Sequence, residues 1–162
     1  MKKFLKWSIF ILITFFLQEL ITISTIRLNF SILLIYKFIV EHFFPKEEQR
    51  NITPSEVLPL LFFVLIGFFD DLTQGIIGPS IISKTIAGTS LIILAKQLFF
   101  HWTEQFKGLI IFLLTLIDEV IYSVVIIYFF NFQFDNLLLT KTILIRALFN
   151  IPIGLVISWR KP

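Results

Sequence analysis

Long apolar segments with few charges divide the sequence, and they constrain its fold more than any motif does. The chain has 162 residues, of which 57% are hydrophobic and 15% are charged. A helix needs about 20 apolar residues to cross a bilayer, whereas barrel strands alternate apolar and polar side chains. The pattern predicts an all-α, polytopic membrane protein that forms a single integral membrane domain over residues 1–162. The six predicted spans are 4–24, 27–44, 56–71, 79–99, 108–130 and 137–158.

The basic residues predict how these spans are oriented. The first apolar run is long, contains Glu19 and precedes no small-residue cleavage site, so we expect a retained helix rather than a signal peptide. Cytoplasmic loops carry an excess of Lys and Arg, and ten of the 14 basic residues fall on the side of the N-terminus. Both termini are therefore predicted to be cytoplasmic. The ten are Lys2, Lys3, Lys6, Lys37, Lys46, Arg50, Lys96, Lys107, Arg160 and Lys161, and the others are Arg27, Lys84, Lys141 and Arg146.

Charged residues in the middle of spans five and six predict a buried ion pair. Asp118 and Glu119 lie in span five and Arg146 lies in span six, and the short loop between these spans makes them antiparallel neighbours. A lone charge at this depth costs at least ~2.5–3.5 kcal/mol. We therefore predict an Asp118–Arg146 or a Glu119–Arg146 pair, with Asn150 one turn away completing a polar network. Adjacent helical residues point about 100° apart, so both acids cannot face the arginine equally.

A second pair, Glu19 with Lys84, is predicted because each lies about five residues from the outer end of its span. Two interpretations of the intramembrane charges stay open. They form either a proton or substrate path, or ionic contacts that fix which helix lies beside which. The second is favoured because no further His, Asp or Glu extends either cluster into a chain of titratable groups.

Small residues form a narrow stripe on span four. Ser80, Ser83, Ala87 and Ser90 recur at helical spacing, and Gly88 lies beside them. Small residues let helices approach closely in lipid. The stripe therefore predicts packing within the chain, or alternatively a docking face for another membrane protein.

The string GFFDD (67–71) raises the question of enzymatic chemistry. Two carboxylates beside a bilayer can hold Mg²⁺ and a phosphate, and the string resembles a segment of the polyprenyl-phosphate phosphosugar transferases. Those enzymes are about twice as long and carry further acidic and histidine motifs. His42 and His101 stand alone here, and the absence of cysteine excludes thiolate metal sites. We therefore expect no catalytic residue, no cofactor and no metal.

The alternative interpretation of this segment is an outward-facing structural turn. Asp70 and Asp71 would end span three where charge reaches water, and Gly75 and Gly78 would supply the turn. Pro79 suits the first position of span four. On this interpretation, replacing both aspartates with asparagine leaves folding largely intact.

Residues 57–95 resemble the central part of MreD, the rod shape-determining membrane protein family of bacteria. In that family a short span ends in a glycine, an aspartate follows four residues on, and spaced glycines lead into the next span. The matching residues are Gly67, Asp71, Gly75 and Gly78. LNFSILLIYKFIVEHF resembles the family's second helix and RALFNIPIGLVIS its last. The chain departs from the family in four features, which are Pro79 after the second turn glycine, a turn one residue shorter, Asn29 in place of Pro-Asp, and Lys84.

The resemblance implies a non-catalytic role in the bacterial inner membrane. Family members bind the MreC scaffold in the cell-elongation machinery, alongside a SEDS glycosyltransferase and its class B penicillin-binding partner, with MreB filaments beneath. Membrane lipids are further expected partners, and nucleic acid is not. The implied fold is similar to the six-helix S-components of energy-coupling-factor vitamin transporters. Those substrate-binding subunits are the alternative function, which requires an outward-facing pocket and a docking face such as span four.

Overall fold

Six helices account for most of the residues that the computed structural model describes, which are 2–23, 26–43, 57–97, 104–133 and 135–158. The helices are α1 (Lys2–Leu20), α2 (Ser31–Phe43), α3 (Val57–Gln74), α4 (Pro79–Gln97), α5 (Glu104–Phe130) and α6 (Asn136–Ser158). Two short strands, β1 (Thr22–Ile23) and β2 (Ile26–Arg27), pair antiparallel between α1 and α2. The predicted all-α class is confirmed.

Each helix overlaps one predicted span, but two boundaries differ in ways that matter for the site. Helix α3 continues to Gln74, three residues beyond its predicted end at 71. Helix α2 begins at Ser31 instead of residue 27, because the β1–β2 pair turns the chain back before the helix begins. The segment before α2 places Asn29 in the interior of the helix bundle, whereas the three residues added to α3 are exposed.

Among the residues that the structure describes, three helices are long and apolar enough to cross a membrane. They are Val57–Gln74, Phe106–Phe130 and Asn136–Ile157, and the apolar part of α4, Pro79–Ala95, is shorter. Helix α2 has only 13 residues. At 1.5 Å per residue it is about 20 Å long, against a hydrocarbon thickness of about 30 Å. The number of spanning helices therefore remains a prediction.

Helix α2 lies at the centre of the bundle. Its sequence SILLIYKFIVEHF is apolar except for Ser31, Lys37, Glu41 and His42, and residues 31–40 are buried apart from the half-buried Lys37. Such a helix is typically enclosed by its neighbours. Ile32, Ile35, Tyr36 and Ile39 have no exposed surface. Helix α2 contacts all five other helices, while α3, α4, α5 and α6 pack in sequential order against one another. The centre of the bundle is thus a short helix enclosed by longer ones.

Helices α3 and α4 approach each other closely at Gly67. A Cβ atom at this position would lie 2.6 Å from the Cα of Ile81 and 2.7 Å from the carbonyl oxygen of Ser80, which are backbone atoms that cannot swing aside. The small-residue stripe of α4 is buried here, since Ser80, Ser83 and Ala87 have no exposed surface. Gly88 is buried against the ring of Phe63, and Ser90 is half-buried. The stripe packs inside the chain, so Ser80, Ser83, Ala87 and the adjacent Gly88 are not available as a docking face.

We expect Gly67→Ala to lower the free energy of unfolding by about 1–3 kcal/mol, the usual cost of overpacking a tight core. The physical reason is that α3 and α4 must separate to admit the methyl group. Gly108→Ala is the matched control, because a Cβ there would meet Ile151 at an ordinary 3.5 Å. Thermal unfolding of the two detergent-purified variants checks the prediction. Equal stability of both would contradict the close approach.

A buried ionic cluster as the candidate functional site

Polar side chains from all six helices meet at one buried location in the bundle. Residues from the middle of α5 and α6 meet the polar ends of α1, α2, α3 and α4 there. Charges of both signs are enclosed together with amide and hydroxyl groups that hydrogen-bond to them, although Oδ1 of Asp118 and Oδ1 of Asn150 have no partner among the described residues. We call this group the ionic cluster, and its members are Gln18, Asn29, Ser31, Asp70, Lys84, Asp118, Glu119, Arg146 and Asn150.

Lys84 lies between two carboxylates. Its Nζ atom is 2.9 Å from Oδ2 of Asp70 and 2.9 Å from Oδ2 of Asp118, and all three side chains are at most 3% exposed. The close packing of α3 on α4, and of α4 on α5, sets this geometry. A buried charge is tolerated only when it is paired and hydrogen-bonded, and Lys84 meets both conditions. This lysine therefore joins three consecutive helices.

The predicted Glu19–Lys84 pair is wrong. Glu19 pairs with Arg27 instead, and its side chain is half exposed. Lys84 pairs with Asp70 because α3 packs closely on α4, which brings the buried carboxylate of Asp70 to the lysine. The second partner of Lys84 is Asp118. The sequence predicted that either Asp118 or Glu119 pairs with Arg146, and it did not predict a contact between Asp118 and Lys84.

Asp70 is buried, which contradicts its predicted position at an outward-facing turn. Only 2% of the surface of Asp70 is exposed. Beyond Lys84, its Oδ1 atom accepts a hydrogen bond from Nε2 of Gln18 at 2.7 Å, and Ser31 Oγ lies 3.0 Å from its Oδ2. Charge-assisted bonds of this kind are about twice as strong as neutral ones. Asp70 is thus an internal anchor for α1, α2 and α4.

Asp71 closes the turn between α3 and α4. Its carboxylate accepts hydrogen bonds from the backbone N–H groups of Gly78 (2.7 Å), Ser80 (2.8 Å) and Ile81 (3.3 Å). A helix leaves its first N–H groups without partners, and here one side chain satisfies several of them from the preceding helix. Gly75 and Gly78 have φ values of 75° and 126°, which glycine adopts readily. Gly75 and Gly78 form the turn as predicted, but the turn begins only after Gln74, and Asp71 has no exposed surface and does not reach water.

Glu119 pairs with Arg146, which is one of the two pairings that the sequence left open. Arg146 Nη1 lies 2.6 Å from Oε2 of Glu119, and its Nε donates to the carbonyl oxygen of Arg27 at 2.7 Å. Asp118, the adjacent acid, faces Lys84. Neighbouring helical side chains point about 100° apart, so the two acids face different neighbours and each pairs with a different cation.

Two asparagines connect these pairs to each other and to the backbone. Asn29 Nδ2 donates to Asp118 Oδ2 at 2.7 Å and to Glu119 Oε1 at 2.6 Å, so both acids share one amide group. Asn150 Nδ2 donates to the carbonyl oxygen of Asn29 at 2.8 Å and lies 3.2 Å from Thr115 Oγ1. Asn150 thus belongs to the network, as predicted, through Asn29 and not through Arg146.

The Glu119–Arg146 pair makes a testable prediction. In a double-mutant cycle with Glu119→Gln and Arg146→Gln, we expect a coupling energy of about 1–3 kcal/mol, because either single change leaves the other charge unpaired. The exposed Lys6–Glu41 pair, at 3.3 Å, is the matched control and is expected to couple by less than about 1 kcal/mol. Unfolding of each variant in detergent gives both energies. Additive losses at Glu119 and Arg146 would contradict the pair.

Three members of the ionic cluster were not among the predicted site residues. Gln18 interrupts an apolar run, and its Oε1 accepts from the backbone N–H groups of Phe30 and Ser31 at 3.0 Å each. It therefore caps α2 while holding Asp70. The signal in the sequence was the single amide in FFLQEL, next to the more conspicuous Glu19. Asn29 was noted only as the residue in place of Pro-Asp, and Ser31 gave no signal beyond its position at the start of a span.

A cavity of about 210 Å³ adjoins the ionic cluster. Its lining is mostly polar and includes Arg27, Gln74 and Tyr122 in addition to cluster residues. Tyr122 donates a hydrogen bond to the Gln74 side chain. Three cations and three carboxylates line the cavity, namely Arg27, Lys84, Arg146, Asp70, Asp118 and Glu119. The lining is therefore electrically balanced at neutral pH.

Titratable groups elsewhere offer no metal site among the residues that the structure describes. Within these residues no three His, Cys, Asp or Glu side chains come together in a group that could hold a metal ion. His42 stacks on Phe38, with ring centroids 5.7 Å apart, and His101 lies outside the described residues. No protein-family model, no curated protein and no solved structure matches the chain.

Proposed function

We propose that the protein is a non-catalytic membrane component of the bacterial cell-elongation machinery, of the MreD type. In this role it binds an MreC-type scaffold in the inner membrane and helps to position the SEDS glycosyltransferase and its class B penicillin-binding partner. It crosses the membrane six times, with both termini in the cytoplasm. MreB filaments connect to it indirectly, through the scaffold.

The turn between α3 and α4 carries this proposal. Each of the four residues that resemble the family has its own structural role. Gly67 admits the α4 backbone, Asp71 accepts three backbone N–H groups, and Gly75 and Gly78 adopt positive φ angles. The spacing of these four residues therefore follows from how α3 and α4 are joined. This supports a resemblance to the MreD family in fold as well as in sequence pattern.

The pairing of the buried charges also favours a structural role. Lys84 and Arg146 each pair with at least one carboxylate inside the bundle. Mutually paired charges fix the relative positions of the helices, whereas a proton path needs a chain of titratable groups that reaches the surface. A rigid bundle of this kind is suited to presenting a fixed surface to membrane partners.

Affinity purification from native membranes tests the proposed function. A tagged copy, solubilised in mild detergent, is expected to recover an MreC-type scaffold and the cell-wall synthase. A tagged multi-span protein of the same membrane with no role in cell-wall synthesis is the control. Recovery of an ATPase pair in place of the scaffold would overturn the proposal.

One observation favours a second candidate, the S-component of an energy-coupling-factor transporter. The balanced, polar cavity beside the ionic cluster is the kind of pocket that a small-molecule carrier requires. The burial of the α4 stripe counts against this candidate, because its proposed docking face for the transport partner lies inside the bundle. The same purification separates the two functions by the partner recovered.

A further inference from the structure

We infer that an apolar groove between α1 and α6 binds one anionic phospholipid, with an acyl chain in the groove and the phosphate beside Lys6 and Lys37. This goes beyond the proposed function, because binding a protein scaffold requires no particular lipid. The inference rests on the lining of the groove, on its dimensions and on an unbalanced positive charge at one end.

The groove is open to the side of the bundle. Helices α1 and α6 both pack on α2 and form the two walls, while Leu33 and Leu34 of α2 lie at the floor. The volume between them is about 230 Å³. On the α1 side, Leu17 and Ile21 are 40% and 39% exposed, so a ligand can enter from the surrounding lipid.

The lining selects a hydrocarbon ligand. Among the described residues that line the groove, Thr14 alone has a polar side chain, and its Oγ1 already donates to the carbonyl oxygen of Phe10 at 2.8 Å. A bound water needs about two to four polar partners, which this lining does not supply. An acyl chain needs none, so it fills the groove without leaving a polar group unpaired.

The dimensions favour a single acyl chain over a helix of a partner protein. From Phe10 to Ile21 the groove follows the chain of α1 for about 16 Å, at 1.5 Å per residue. This length is about half of a hydrocarbon core of about 30 Å, which is the depth that one leaflet provides. A volume of about 230 Å³ over this length leaves a passage much narrower than a helix, which is about 10–12 Å across.

A positive charge at one end of the groove selects an anionic headgroup. Lys37 Nζ lies 4.5 Å from the ring centroid of Phe10 and donates to the carbonyl oxygen of Ile157 at 3.2 Å, and both of these residues line the groove. Glu41 lies 3.8 Å from Lys37 and 3.3 Å from Lys6, whose side chain is half exposed. Two ammonium groups thus share one carboxylate. The remaining positive charge attracts a lipid phosphate.

Native mass spectrometry of the full-length protein in mild detergent tests the lipid preference. The probes are phosphatidylglycerol, which is anionic, and phosphatidylcholine with identical acyl chains, which has no net charge. We expect one phosphatidylglycerol to bind per protein, at a concentration at least about fivefold lower than phosphatidylcholine, which is the effect of about one lysine. Equal affinity for the two lipids would overturn the inference.

A substitution that fills the groove tests where the acyl chain lies. Thr14→Trp places a large ring in the groove, and Leu12→Trp adds the same ring to α1 at a position that is 71% exposed. We expect Thr14→Trp to weaken phosphatidylglycerol binding at least about tenfold, because the chain loses its apolar contacts, and Leu12→Trp to leave it unchanged. Unaltered lipid binding in the folded Thr14→Trp variant would refute the site. Loss of a protein partner with the lipid retained would assign the groove to a helix of that partner instead.

A charge substitution tests the headgroup contact separately. Lys37→Gln removes the charge and retains a donor for the carbonyl oxygen of Ile157, so folding is expected to survive. We expect it to weaken phosphatidylglycerol binding about fivefold and to leave phosphatidylcholine binding unchanged. Lys141→Gln, at an exposed position of α6, is the control and is expected to change neither. Equal losses for both lipids in Lys37→Gln would show a structural effect and overturn the headgroup contact, whatever partners the protein recovers from membranes.

Discussion

Lys84→Met is expected to lower the free energy of unfolding by about 3–5 kcal/mol, the usual cost of removing one partner from a buried ion pair. The change leaves Asp70 and Asp118 buried without the cation that both contact at 2.9 Å. Two like charges then share one buried site without the cation between them, which is costly for both. Chemical or thermal unfolding of the purified protein, followed by tryptophan fluorescence, measures the loss.

Neutralising one of the orphaned carboxylates is expected to recover part of this stability. The double variant Lys84→Met/Asp118→Asn should be more stable than Lys84→Met alone, because the repulsion between the acids is removed. Lys141→Met on the exposed side of α6 is the control for loss of a cation and is expected to change stability by at most about 0.5 kcal/mol. A Lys84→Met variant as stable as this control would contradict the buried position of the lysine.

Asp71→Ala is expected to cost about 3 kcal/mol, because three backbone N–H groups lose their acceptor at once and each buried group left unpaired costs about 1–3 kcal/mol. The individual costs do not add fully, since the turn can relax. The free energy of unfolding of the Asp71→Asn variant should lie between that of the Asp71→Ala variant and that of the natural protein. Both carboxylate oxygens accept bonds, and asparagine retains only one acceptor. Unfolding measurements on the two variants give this order.

The structure thus reverses the expectation that asparagine at both aspartates leaves folding largely intact. Asp135→Ala is the matched control for Asp71→Ala. Its carboxylate accepts from the N–H of Leu137 at 3.0 Å at the exposed start of α6. We expect a clearly smaller loss there, because water replaces the missing bond. Equal losses at the two positions would show that burial of the Asp71 contacts contributes nothing.

The sequence predicted the helices well because their signal is local. Each apolar run is long enough to specify a helix on its own. The short connection between α5 and α6 was sufficient to predict that Arg146 pairs with Asp118 or Glu119, and Glu119 is the partner that the structure shows. The small residues of α4 likewise predicted close packing, and Gly67 on α3 provides the facing surface. In all three cases the residues that interact lie in the same helix or in consecutive helices.

The position of Asp70 could not be predicted in the same way. The letters DDLTQG are polar and precede glycines, so they indicate a turn, yet the helix continues through DDLTQ. Burial of Asp70 depends on partners from elsewhere, above all on Gln18, which is 52 residues away in sequence. A polar helix end in water and one enclosed by other helices have the same local pattern. Which of them forms depends on tertiary contacts.

The distribution of charges over α3 to α6 has a consequence for biosynthesis. Asp70 emerges from the ribosome before Lys84, Lys84 before Asp118, and Glu119 before Arg146. A helix released singly into lipid would expose a charge whose counter-ion has not yet been made. We therefore expect α3 with α4, and α5 with α6, to leave the insertion machinery as hairpins. The Lys84–Asp118 contact then joins the two hairpins in the final step of assembly.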